Sequence, residues 1–183
     1  MSHLSPLRPF LLLLAFVAAL SAVPAHAAEH YFGAGAQFWR TVDGLPSTST
    51  FDGIEDDGYS WVLSYQMRPR GLFAFQVDAE IYPDGYAGSD ETAVSPEALV
   101  IIGKGLYLGA GAGVTISDGL QDNVSDPFFL GRIGWRLAFL GPLDVDIHAT
   151  YRFDDWEALQ GVDVSTDTYT FGATLRFKVG GSR

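Results

Sequence analysis

The sequence of 183 residues contains no cysteine, which removes disulfide scaffolds and thiolate metal sites together. Cations are also scarce. Eleven Lys and Arg stand against 22 Asp and Glu, a formal net charge of −11. Nucleic-acid binders carry basic patches that neutralise phosphate, so this balance excludes that class of partner. After the amino terminus there is no long apolar run, so any membrane crossing by the rest of the chain must use strands rather than helices. Disorder is excluded by a composition 48% hydrophobic and 14% aromatic. What is abundant is glycine (21), phenylalanine (13) and tyrosine (8), over a length that suits one domain.

Residues 1–27 read as a signal peptide that is cleaved on export. Arg8 supplies a positive n-region, Phe10 to Val23 an apolar core, and Ala25-His26-Ala27 a small-x-small cleavage site. The core falls short of the roughly 20 residues a spanning helix needs, and Pro24 ends it. One domain is expected over 28–183.

From residue 30 onward the hydrophobic period is two. Strands are predicted at 30–40, 58–67, 72–82, 93–102, 105–116, 128–139, 143–153 and 168–178. Each is close to the roughly 9–11 residues of a tilted strand that crosses a bilayer. Tight connections at Arg68-Pro69-Arg70-Gly71, Gly103-Lys104 and Leu140-Gly141-Pro142 alternate with longer ones at 41–57, 83–92, 117–127 and 154–167. This alternation predicts an all-β chain, an eight-stranded antiparallel up-and-down transmembrane β-barrel. Pro96 lacks a ladder donor, and a bulge is expected beside it.

Period two leaves open which face points inward; volume decides it. One face carries Trp61, Trp135, Phe73, Phe75, Phe129, Tyr151 and Phe171. An eight-stranded barrel has an interior only just wide enough for side chains and could not hold that set. The other face carries Gly33, Gly35, Gly109, Gly111, Gly113 and Gly134, which suit a narrow lumen. The apolar face is therefore expected to point out, toward lipid. Phe32, Phe38, Tyr59, Phe153, Tyr169 and Phe177 lie near strand ends, where such barrels carry interfacial aromatic girdles.

With this pattern the chain resembles the small outer-membrane β-barrel proteins of Gram-negative bacteria, of the OmpX, OmpA and opacity type. The most specific local match is Thr170-Phe171-Gly172-Ala173-Thr174-Leu175-Arg176-Phe177. It resembles the terminal signal in which barrel-assembly machinery reads the positions of Thr170, Gly172, Leu175 and Phe177; here Lys178 to Arg183 follow it. The resemblance implies an integral outer-membrane location, with outer-membrane lipid, lipopolysaccharide and the assembly machinery as partners.

The inward face gathers Asp78, Glu80, Glu97, Asp144 and Asp146 with Arg132, Arg136, Arg152 and Arg176, and His148 lies among them. Charges packed in a narrow, low-dielectric lumen must pair, which suggests a cross-linked polar plug. The alternative is a small gated channel in which the pairs exchange partners. Glu80 with Arg132 or Arg136 is the pairing expected first.

An enzymatic reading competes, because His148-Ala149-Thr150 resembles the His and Ser two apart in lipid A deacylases of the PagL type. Thr150 would then replace the Ser and Glu157 would supply the Glu. Strand parity points His148 into the lumen, away from lipid, and the non-enzymatic reading is preferred. Past the signal only His30 joins it, so no histidine metal cluster is expected. No cofactor motif stands out, since Gly109-Ala110-Gly111-Ala112-Gly113 lies within a strand rather than opening a helix.

Most of the acids fall on the long connections, among them Glu55-Asp56-Asp57 and Asp154-Asp155. They read as a solvated, self-repelling rim; the sharper reading is divalent-cation binding by these carboxylates.

Overall fold

A computed structural model describes residues 28–41, 57–83, 91–117, 124–153 and 167–181. The chain runs β1 (Glu29–Thr41), β2 (Asp57–Arg68), β3 (Phe73–Tyr82), β4 (Ala93–Gly103), β5 (Leu106–Gly113), β6 (Ile116–Ser117), β7 (Phe128–Leu140), β8 (Leu143–Phe153) and β9 (Thr168–Gly180). All neighbours pair antiparallel in the order of the chain, and β1 closes on β9 from His30 opposite Gly180 to Thr41 opposite Thr168. The two-residue β6 continues the line of β5 along β4, so eight staves close the barrel. Pairing of β1 with β9 and of β3 with β4 ties the eight staves into a ring, the form in which strands can cross hydrocarbon. The described residues contain no helix. The expected signal segment 1–27 and most of the long connections lie outside the described residues.

Three short turns, at 69–72, 104–105 and 141–142, meet at one end of the barrel, and Ala28 and Gly181 lie at the same end. Gly103 turns there with φ +125°, in the left-handed region, and a Cβ at that position would sit 2.8 Å from the Tyr107 Cα. Only glycine suits both demands.

The bulge expected at Pro96 does not occur. Pro96 pairs with Ala79 in unbroken register, and β4 keeps one register against β5 and β6. What the missing N–H does is interrupt the ladder, so that β5 stops at Gly113 and pairing resumes at Ile116. Ser95 and Thr115 bridge the gap through their hydroxyls, 2.8 Å apart. The register shifts lie elsewhere, at His30/Tyr31 and Ala138/Leu140.

Side chains divide as the volume argument requires. Trp61 (60%) and Trp135 (56%) are exposed on the outer wall, with Phe73, Leu108, Ile133, Phe171 and Leu175. Trp39 (2%) is buried inside. Aromatic pairs cluster toward both ends of the wall: Phe32 with Tyr65 at 5.1 Å on the short-turn side, Phe38 with Tyr59 at 5.5 Å and Tyr151 with Tyr169 at 5.3 Å on the other.

The interior is less uniformly polar than strand parity suggests. Leu99, Ile101, Tyr107, Phe128, Leu130 and Ala74 form an apolar cluster within the lumen, contributed by β3, β4, β5 and β7. The ion pairs occupy the remaining space.

Candidate functional site in the barrel lumen

Alternation along β3, β7, β8 and β9 turns every second side chain inward, and these inward positions carry the charges. At mid-barrel, Arg132 reaches across the lumen to Asp78, its Nη1 donating to Oδ2 at 2.7 Å. Its Nη2 lies 3.4 Å from Glu97 Oε2, and its Nε donates to Thr150 Oγ1 at 2.9 Å. Asp78 and Glu97 stand directly opposite on β3 and β4, so one guanidinium serves two facing carboxylates. Gln76 adds a donor to Asp78 at 2.7 Å and itself accepts from Gln66 at 2.6 Å.

A second group centres on Asp146. Arg176 Nη1 donates to Oδ2 at 2.5 Å, while Oδ1 accepts from the Tyr107 hydroxyl at 2.7 Å and lies 3.1 Å from His148 Nδ1. The other ring nitrogen of His148 lies 3.2 Å from Gln37 Oε1. Two glycines make room for this group. Tyr107 lies across Gly134, and Gly172 sits between Gln37 and His148, where a Cβ would be 3.1 Å from the His148 Nε2.

Toward the loop end, Arg152 donates to the Tyr82 hydroxyl at 3.2 Å and to Thr115, and stacks 3.3 Å above the Phe128 ring. At the short-turn end, Asp144 pairs with Arg68 at 2.6 Å. Arg136 donates to the Gly103 carbonyl at 2.6 Å and lies over the Tyr107 ring.

The pairing expected for Glu80 is replaced by another. Glu80 accepts from Ser60, one ladder step nearer the loops, while Arg132 is taken by Asp78 and Glu97 and Arg136 sits at the opposite mouth. Arg68, read from sequence as a turn residue, instead ends β2 and turns into the mouth, its guanidinium 3.7 Å above the Tyr31 ring. A residue that is both last in a strand and even in parity with Ser60, Ser64 and Gln66 carries that signal in the sequence. Adding Arg68 brings the lumen cations level with the carboxylates.

His148 and Thr150 both lie on the inner wall and engage different partners, Asp146 and Gln37 for the one and Arg132 for the other. Glu157 lies outside the described residues. In the terminal segment, Thr170 is buried, Gly172 is in the wall, and Leu175 and Phe177 are exposed on the outside. The acidic runs Glu55-Asp56 and Asp154-Asp155 also fall outside the described residues, although Asp57 begins β2.

The structure is similar to that of Neisserial surface protein A, with a TM-score of 0.54 and 19% identity over 83% of this chain and 99% of that one. It is similar also to the outer membrane protein OprG from Pseudomonas aeruginosa, with a TM-score of 0.53 and 12% identity over 84% of this chain and 98% of that one. The fold is that of the small outer-membrane β-barrels. No protein-family model and no curated protein matches the sequence. An eight-stranded barrel has an interior only just wide enough for side chains to fill. In this one the enclosed side chains are the Arg132 and Asp146 groups together with the apolar cluster.

Proposed function

We propose that the chain is an integral outer-membrane protein with a closed lumen, acting in envelope integrity or surface interaction through its acidic loops rather than by catalysis. The observation that carries this reading is the bridging of the lumen by Arg132, from β7 to Asp78 on β3 and Glu97 on β4, with all three side chains buried. Separating these charges inside the barrel would cost several kcal/mol per ion, so the bridge works as a plug. The acids concentrated on the long connections supply the contact surface, with lipopolysaccharide and divalent cations as its partners. Export by the 1–27 signal and insertion through Thr170, Gly172, Leu175 and Phe177 complete the reading.

The test is single-channel recording of the refolded chain in a planar bilayer, with heat-shifted gel mobility as the folding control. Folded protein is expected to be electrically silent. Discrete current steps that change on Arg132→Gln would replace the plug with a gated channel. Conversion of lipid A that is lost on His148→Ala would replace it with a deacylase.

A further inference from the structure

A shallow hollow of about 370 Å³ lies in the outer wall where β1 meets β9. Ala36 and Ala173 face each other in register there, and Phe38, Tyr59, Phe171 and Ile147 stand around them. Two adjacent alanines among four large side chains leave the dent. A cation sits above it. The outward positions of β1 run Ala36, Phe38, Arg40 toward the long connections. Arg40 is exposed, one row beyond Tyr59, Phe38 and Phe171, and Tyr169 flanks it on β9. Along the strand it stands about 7 Å from Phe38 and about 13 Å from Ala36.

Cations are otherwise missing from the surface at this end. The connections at 41–57, 83–92, 117–127 and 154–167 hold no Lys or Arg, and Arg152 is buried in the lumen. Arg40 is therefore the one exposed cation there among the described residues. Asp57 stands opposite it on β2, and among the described residues no ion pair joins the two. The acids of the long connections repel an anion, so a negative headgroup is drawn to the outer wall at Arg40. In barrels of this build the long connections face outside, which puts the hollow in the outer half of the membrane. A guanidinium and the exposed Tyr59 and Tyr169 above, with an apolar hollow below, match a lipid that carries phosphate over its acyl chains.

We propose that Arg40 and the hollow hold one molecule of lipopolysaccharide by its lipid A part, a phosphate on the guanidinium and an acyl chain along Ala36 and Ala173. This rests on the outer-membrane reading above and names where on the wall the lipopolysaccharide sits. A zwitterionic phospholipid is the poorer occupant, because its neutral headgroup gains less from a lone cation under an acidic rim.

The test follows the Ala36 and Ala173 methyl resonances of the chain refolded in detergent micelles, as lipid A is added in the presence of EDTA. Both signals are expected to move saturably, and phosphatidylethanolamine at the same mole fraction should leave them nearly in place. Arg40→Gln should weaken the response about tenfold, the worth of one charge-assisted hydrogen bond. Should this variant fail to fold, lipid A stripped of its phosphates makes the same comparison on the unaltered chain. Signals that stay fixed overturn the site. So does an equal response to phosphatidylethanolamine, or to lipid A in folded Arg40→Gln. Lipid A that binds only once calcium replaces EDTA, and equally to Arg40→Gln, places the contact on the acidic loops; the site then fails while the reading above stands. A refolded chain whose Trp61 escapes quenching by brominated acyl chains overturns both.

Discussion

Arg132 is the side chain on which the interior depends most. It neutralises Asp78 and approaches Glu97, two carboxylates that face each other across adjacent strands. Replacing it with alanine leaves both buried without a cation, and breaking such a pair costs about 3–5 kcal/mol. Arg132→Ala should therefore lower the urea midpoint of the refolded barrel by that equivalent. Glu97→Gln should act in the opposite direction. It removes the weaker of the two pairs, at 3.4 Å, together with the repulsion between facing carboxylates. A midpoint at or above that of the unaltered chain is expected for Glu97→Gln, measured in the same titration.

Which residues face inward was legible in the sequence, because parity alone assigns Asp78, Glu97, Arg132, Asp146 and Arg176 to one face. Who pairs with whom was not. Arg132 on β7 meets Asp78 on β3 across the lumen, and the relative height of non-adjacent strands depends on the stagger of the closed barrel. That quantity leaves no mark in a period of two. Glu80 was assigned the wrong partner for this reason.

At the scale of the strand, the decisive features are places where a side chain is missing. Gly134 on β7 leaves the space that the Tyr107 ring fills, and a Cβ there would lie 2.5 Å from Tyr107 Cζ. Tyr107 in turn holds Asp146. Gly134→Ala should displace the ring and cost about 1–3 kcal/mol, as overpacking does. Combining it with Tyr107→Ala should cost less than the sum of the two single changes, which a double-mutant cycle in urea would measure. The eight staves and the limits of β3 and β8 were readable from alternation and turn residues, whereas the stave expected at 105–116 is divided into β5 and β6. Pro96 was readable as a weak point. Its form was not, since an interruption and a bulge both follow from a missing donor, and only the paired strands decide between them.

At the scale of the molecule, an apolar wall surrounds an interior that is part ion pairs and part apolar packing. The apolar cluster of Leu99, Ile101, Phe128 and Leu130 escaped the sequence reading because these residues alternate with equally apolar outward neighbours, among them Val100, Ile102 and Phe129. Where both parities are apolar, period two carries no contrast. The proposed closed lumen and the proposed surface role both rest on the wall facing lipid.

Tryptophan fluorescence tests that orientation most directly, with the barrel reconstituted in bilayers whose lipids carry bromine on the acyl chains. Variants that keep a single tryptophan at position 39, 61 or 135 separate the signals. Emission from Trp61 and Trp135 should be strongly quenched and emission from Trp39 nearly untouched, in keeping with exposures of 60%, 56% and 2%. Quenching of Trp39 with Trp61 and Trp135 protected would put the apolar face inside and contradict a barrel that spans the membrane.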